Sequence, residues 1–200
     1  MEGHVGAVVV KGSPEPKVRL LTVGHSNRSL EEFLSLLKAV GVRAVADVRR
    51  YPSSRKFPHF NQDALRQRLD AEGIRYAWFE DLGGRRHGGT DANSPNASLE
   101  SPGFRNYADH MLTDGFHAAA EHLLSLAAEA PTAILCAEKF YWKCHRRLLS
   151  DYLVAQGAEV EHILERGRLR AHALTQGAVV RKDANVVYPP TMPALKKDRR

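Results

Sequence analysis

Five short apolar runs, spaced along the chain and separated by helix-patterned stretches, constrain this sequence more than any other feature. They are VRLLTV (18–23), VRAVADVR (42–49), the IRYAW start of IRYAWFEDLGG (74–84), PTAILCAEK (131–139) and EVEHIL (159–164). Each has strand length, and each stops at Gly or at polar residues. Between them, LEEFLSLLKAVG (30–41) follows a capping Ser29, carries Glu31 and Glu32 in its first turn and stops at Gly41. NQDALRQRLDAEG (61–73) reads as a helix capped by Asn61, and CHRRLLSDYLVAQG (144–157) as one closed by Gly157. The stretch 104–130 gives one or two helices with a possible break at Gly115. Strands alternating with helices predict an α/β domain: a mostly parallel sheet of about five strands with helices on both faces. In such sheets ligands bind outside the carboxyl ends of the strands.

The alternation runs from about 18 to 190, which implies one domain. Residues 1–17 read as a loose leader ending at Pro14-Glu-Pro16, and 191–200 as a basic tail. The segment 87–102, poor in apolar residues and rich in Gly, Ser, Asn and Pro, reads as a surface loop, and 167–190 as a small hairpin. No apolar run reaches the length of a membrane span, and the first residues lack the basic and apolar regions of a signal peptide. With only two cysteines, the expectation is a cytoplasmic protein with reduced thiols and no membrane association. The net charge of +6 suits a polyanionic partner, although basic residues also decorate ordinary solvated faces.

Chemistry gathers at the strand ends. The first gives His25, Ser26 and Asn27. The second gives Asp47 and Arg49, followed by Tyr51, Ser53 and Arg55. The third leads to Gly83, Gly84 and Arg85. The fourth gives Cys136 and Glu138, then Tyr141, Cys144, His145 and Arg146. A first-turn Cys144-His145-Arg146 would sit where free N–H groups and the helix dipole attract anions, and where a thiol pKa falls. The alternative is a buried, inert cysteine. Zinc ligation by Cys136, Cys144 and His145, with His25 as a further candidate, is disfavoured. The spacing is not a tight knuckle, and helical neighbours point about 100° apart. The expectation is therefore no metal and no cofactor. Asp47 and Glu138 at adjacent strand ends supply acid–base groups, the alternative for Asp47 being an ion pair with Arg49 that only orders the loop. Loop aromatics such as Tyr51 and Tyr141, with Tyr107, suit base stacking beside arginines.

Taken together, TVGHSN (22–27), DVRRYPSSRKFPHF (47–60), YAWFEDLGGRR (76–86), FRNYADHM (104–111), CAEKFYWKCHR (136–146) and GAEVEHIL (157–164) resemble the DUF488 family, a mainly prokaryotic group named for its unknown function. HALT (172–175) and VVYP (186–189) extend the likeness over roughly 19–190. The resemblance implies a compact α/β domain with its motifs at one end of the sheet. It also implies that Asp47, Arg49, Cys136, Glu138, Cys144, His145 and Arg146 belong to one site. It supplies no established reaction.

The reading that follows is an enzyme acting on nucleic acid, DNA rather than RNA: a glycosylase removing a modified or damaged base. Asp47 and Glu138, with His25 and His145, are its catalytic candidates. Ser26, Asn27, Arg49, Tyr51, Ser53, Arg55, Gly83, Gly84, Arg85, Tyr107, Cys136, Tyr141, Cys144 and Arg146 are the binding candidates. The rivals are chemistry on a small nucleotide or phosphorylated metabolite, and a non-enzymatic nucleic-acid-binding module.

Overall fold

The computed structural model of the chain describes residues 17–86, 93–165 and 168–190. The expected leader (apart from Lys17), the basic tail and the 87–92 part of the surface loop lie outside the described residues. Strands β1 (Arg19–Gly24), β2 (Ala44–Asp47), β3 (Arg75–Trp78), β4 (Thr132–Cys136) and β5 (Glu159–Ile163) are parallel. β6 (Leu169–Ala171) closes one edge antiparallel to β5, so the sheet has six strands in the order β3-β2-β4-β1-β5-β6. The expected hairpin is in part this edge strand. The remainder is a two-stranded pair, β7 (Val179–Val180) and β8 (Val186–Val187). None of the helices among the described residues is long and apolar enough to cross a membrane.

Helix α1 (Leu30–Ala39) starts as the sequence dictates: Ser29 and Glu32 form a reciprocal capping box, and Phe33, Leu34 and Leu37 are buried. Helix α2 (Gln62–Ala71) begins at Asn61, but that side chain does not cap it; Asn61 Oδ1 accepts from Ser54 N at 2.6 Å instead and pins the preceding loop. The 104–130 stretch forms two helices, α3 (Pro102–His110) and α4 (Asp114–Glu129). The break falls at Met111–Thr113 rather than at Gly115, because the Thr113 side chain caps α4 by accepting from Phe116 N. Gly115 then sits in the first turn, where its flexibility costs little. Helix α5 (Arg146–Ala155) starts at Arg146. Cys144 is therefore extended backbone before the helix, and His145 is the N-cap position, rather than both lying in the first turn.

The hydrophobic interior divides across the sheet. α1 and α2 pack on one face through Phe33, Leu37, Leu65 and Leu69. α3, α4 and α5 pack on the other through Tyr107, Phe116, Leu123, Leu148 and Leu153. The chain leaves β1 into a helix on the first face and leaves the adjacent β4 into a helix on the second. This places a topological switch point at the carboxyl ends of β1 and β4, and again at β4 and β2. The register aligns those ends, with Gly24 beside Cys136 and Leu135 beside Asp47.

Candidate functional site

A crevice of about 1170 Å³ opens at this switch point. Its walls come from the segments after β1 (His25, Ser26, Asn27), after β2 (Arg49 to Tyr51, Ser53, Ser54, Lys56, Phe57), after β3 (Gly84, Arg85) and after β4 (Cys136 to Glu138, Lys143 to His145). The start of α3 adds Ser101, Gly103 and Phe104. Ser101 makes no side-chain cap to the helix that starts at Pro102. Arg49, Arg50, Lys56, Arg85 and Lys143 line the walls against a single acidic residue, Glu138. Arg49 and Arg50 are tied to carboxylates, whereas Lys56, Arg85 and Lys143 have no carboxylate partner among the described residues.

The floor is built on a buried ion pair. Asp47 is fully enclosed and does not line the crevice. Its Oδ1 accepts from Arg49 N and Nε, and its Oδ2 from Arg49 Nη2 at 2.5 Å and from the Tyr76 hydroxyl at 2.7 Å. Burial alone would lower the Arg49 pKa. The hydrogen bonds and charge of Asp47 outweigh burial and hold it above its ordinary value. Burial, then the Asp47 charge, push the Tyr76 hydroxyl upward. Thus aligned, Arg49 Nη1 reaches the Phe60 carbonyl at 2.8 Å and His25 Nε2 at 3.4 Å. Because His25 Nδ1 faces the Ser26 carbonyl at 3.0 Å, the imidazole donates there and presents its Nε2 lone pair to Arg49. Burial and the Arg49 charge lower the His25 pKa to about 4, so this ring, stacked on Phe60, is neutral at neutral pH.

Glu138 is exposed, with Oε1 accepting from Phe140 N at 3.1 Å. Its carbonyl accepts from Arg146 Nη2. Arg146 is buried and lies behind the lining rather than in it; its Nε donates to Cys144 Sγ at 3.4 Å. A Cβ on Gly24 would fall 1.9 Å from the Glu138 carbonyl oxygen, so only glycine lets β1 pass that carbonyl. His145 Nδ1 faces both thiols, 3.6 Å from Cys144 Sγ and 3.8 Å from Cys136 Sγ. Burial opposes charge on Cys144, but the Cys136 thiol as donor, His145 and Arg146 together hold its pKa well below the ordinary value. The same hydrogen bond, then burial, push Cys136 up, so the proton stays on Cys136. Cys136, Cys144 and His145 are the one trio of metal-ligating type found among the described residues.

The crevice thus brings together His25, Ser26, Asn27, Arg49, Tyr51, Ser53, Gly84, Arg85, Cys136, Glu138, Cys144 and His145. The other expected residues lie outside its lining. Asp47 and Arg146 act from beneath through Arg49 and Cys144. Tyr107 is buried, donates to the Leu82 carbonyl and stacks edgewise on His145. Tyr141 stacks on His162 with ring centroids 3.5 Å apart. Gly83 makes room for the Arg50 backbone, and Arg55 is exposed elsewhere. The sequence candidates missed Lys56, Lys143, Ser101 and Phe104. They also missed a buried chain behind the site, in which Thr22 meets His162, His162 meets His172, and His172 meets Asp151 at 2.7, 3.0 and 2.8 Å. Tyr188 donates to the other Asp151 oxygen at 2.7 Å. Three histidine-bearing or tyrosine-bearing motifs, EHIL, HALT and VVYP, carried that signal in the sequence.

The model of the family described as "Domain of unknown function DUF488" matches residues 29–153, well over half of the chain, and the chain belongs to that family. No curated protein and no solved structure matches it.

Proposed function

We propose that this DUF488 protein is a nucleic-acid-acting enzyme, a DNA glycosylase whose crevice takes one extruded nucleotide and whose Glu138 carries the chemistry. One observation carries the reading: Glu138 is the single carboxylate lining a crevice with five cationic residues. Lys56, Arg85 and Lys143, which have no carboxylate partner among the described residues, supply charge for phosphates, and the start of α3, without a side-chain cap, borders the same crevice. Tyr51, more than half exposed at the rim, and Phe57 offer faces for an unstacked base. Hydrolysis of an N-glycosidic bond needs a carboxylate to activate water or to stabilise the sugar cation as the base departs. Glu138 reaches solvent and so suits either task. Asp47 serves by fixing Arg49. His25, neutral with its Nδ1 proton on a carbonyl, serves as the acceptor that keeps Arg49 in place. A cytoplasmic setting belongs to the same proposal, since both cysteines are free and buried.

The test is a release assay on oligonucleotides carrying a panel of modified and damaged bases, read by mass spectrometry for free base and abasic strand. Release by the wild-type chain that disappears in Glu138→Gln, with fold and binding retained, is expected. Salt-sensitive binding without release from any substrate in the panel would overturn the enzymatic reading and leave a binding module. A second reading, chemistry on a small nucleotide or phosphate ester, is favoured by Cys144 on the crevice floor with Arg146 behind it. Turnover of such compounds, with neither release nor nucleic-acid binding, would select it.

A further inference from the structure

We propose that Cys136, Cys144 and His145 form a zinc site with three protein ligands and one coordination position open to the crevice. The inference is independent of the substrate reading, because it concerns only what these three side chains bind. Two distances carry it. Zn–S and Zn–N bonds of about 2.3 and 2.05 Å at tetrahedral angles require S···N separations of about 3.6 Å. The structure has His145 Nδ1 3.6 Å from Cys144 Sγ and 3.8 Å from Cys136 Sγ, and all three donor atoms lie within 4.8 Å of one another.

The objection from spacing dissolves in the backbone. Cys144 is extended (φ −126°, ψ 150°) and His145 alone turns toward the helix (φ −58°, ψ −21°), so the neighbours are not splayed as successive helical residues are. Cys136 arrives from the end of a different element, β4. No knuckle is needed when two elements deliver the ligands.

His145 is about nine-tenths buried, and its Nε2 has no hydrogen-bond partner among the described residues. The polar engagement of this imidazole is therefore with the two sulfurs, through Nδ1. The ring is held for that purpose: Tyr107 packs edgewise on it at 4.9 Å, and a Cβ at Gly84 would fall 2.3 Å from Nδ1. Arg146 Nε, donating to Cys144 Sγ at 3.4 Å, is an outer hydrogen bond to a ligating thiolate.

All three ligands line the crevice, so the fourth position faces substrate space, the arrangement of catalytic rather than structural zinc. With Cys144 already held as the thiolate, loading breaks the Cys136 S–H bond, releases that proton to solvent, and forms two Zn–S bonds and one Zn–N bond. The remaining position takes water on the crevice side, which Glu138 also borders.

The full chain, purified reduced and free of tag and chelator, would be assayed for zinc by elemental mass spectrometry and titrated with Co²⁺. We expect about one zinc per chain. We also expect a cobalt spectrum with tetrahedral visible bands and a thiolate-to-metal charge-transfer band. Cys136→Ser and Cys144→Ser should each weaken metal affinity at least about tenfold to a hundredfold, and Glu138→Gln should leave it unchanged. A folded wild-type chain with less than a tenth of an equivalent of zinc and no thiolate–cobalt band would overturn the site. So would a Cys136–Cys144 disulfide in protein kept reduced throughout. Because the wild-type cobalt spectrum requires no variant, a serine variant that fails to fold does not blunt the test. Metal content and base release are separate readouts, so either proposal can fail alone.

Discussion

Asp47→Asn separates an anchoring carboxylate from a catalytic one, and the structure sets the size of the effect. Asp47 has no exposed surface and Arg49 is 6 % exposed. The substitution keeps the shape and one carbonyl oxygen. It removes the charge opposite a buried guanidinium and replaces an acceptor with a donor. Arg49 Nη2 and the Tyr76 hydroxyl both donate to Oδ2, so an amide nitrogen there would meet two donors. Removing one member of a buried pair costs about 3–5 kcal/mol, because the remaining charge stays uncompensated. For a chain of this size that lowers Tm by roughly 6–20 °C. Urea unfolding followed by circular dichroism measures it directly. Asp47→Asn combined with Arg49→Met should recover much of the loss, since an apolar pair leaves no orphaned charge. A folded Asp47→Asn chain within about 1 kcal/mol of wild type that had nevertheless lost base release would refute the anchoring argument and return Asp47 to the chemistry.

Other outcomes follow from the same geometry. Gly24→Ala, whose Cβ would lie 1.9 Å from the Glu138 carbonyl oxygen, should destabilise the fold by about 1–3 kcal/mol and displace Glu138; a neutral effect in urea unfolding would contradict the close passage. Lys56→Ala, Arg85→Ala and Lys143→Ala should each weaken DNA binding across sequences and flatten the salt dependence of log K by about one unit, measured by fluorescence anisotropy against salt. Buried His162, facing His172, Arg146 and Arg170, has its pKa lowered to about 3, chiefly by burial and then by His172. The unfolded chain then binds its proton first, so as pH is lowered from 6.5 to 3 stability should fall by up to about 1.4 kcal/mol per unit from this residue. His162→Asn should remove that slope between pH 7 and 5.

The alternation of strands and helices was legible because the central strands β1, β2 and β4 bury both faces and the helices bury one, which leaves a periodic trace. β1 and β4 are buried along nearly their whole length, and α1 announces its start with Ser29 and Glu32. The edge was not legible. β6 has every residue exposed, so no apolar pattern marks it, and it is defined only by its pairing with β5. The α3–α4 break was misplaced for a related reason. Glycine is the conspicuous breaker in sequence, but Thr113, which looks ordinary, supplies the hydrogen bond that starts the second helix.

At the site, residue type and place were legible and role was not. A strand-end Asp beside Arg reads equally as catalyst or anchor, and only burial and donor geometry divide the two. Asp47 turns inward because Arg49 and Tyr76 exhaust its oxygens, whereas Glu138, two residues past its strand, stays in solvent with one backbone donor. The same distinction governs the cysteines. A Cys-x7-Cys spacing has no meaning along the chain, but β4 ends where the extended residue before α5 passes it. The decisive quantity there is not a motif but a convergence of two elements at a switch point. That convergence depends on strand order, which local sequence does not encode. It follows that the chemistry of this crevice is best sought where β4 meets β1, with Gly24 and Gly84 judged by the room they leave and not by the turns they permit.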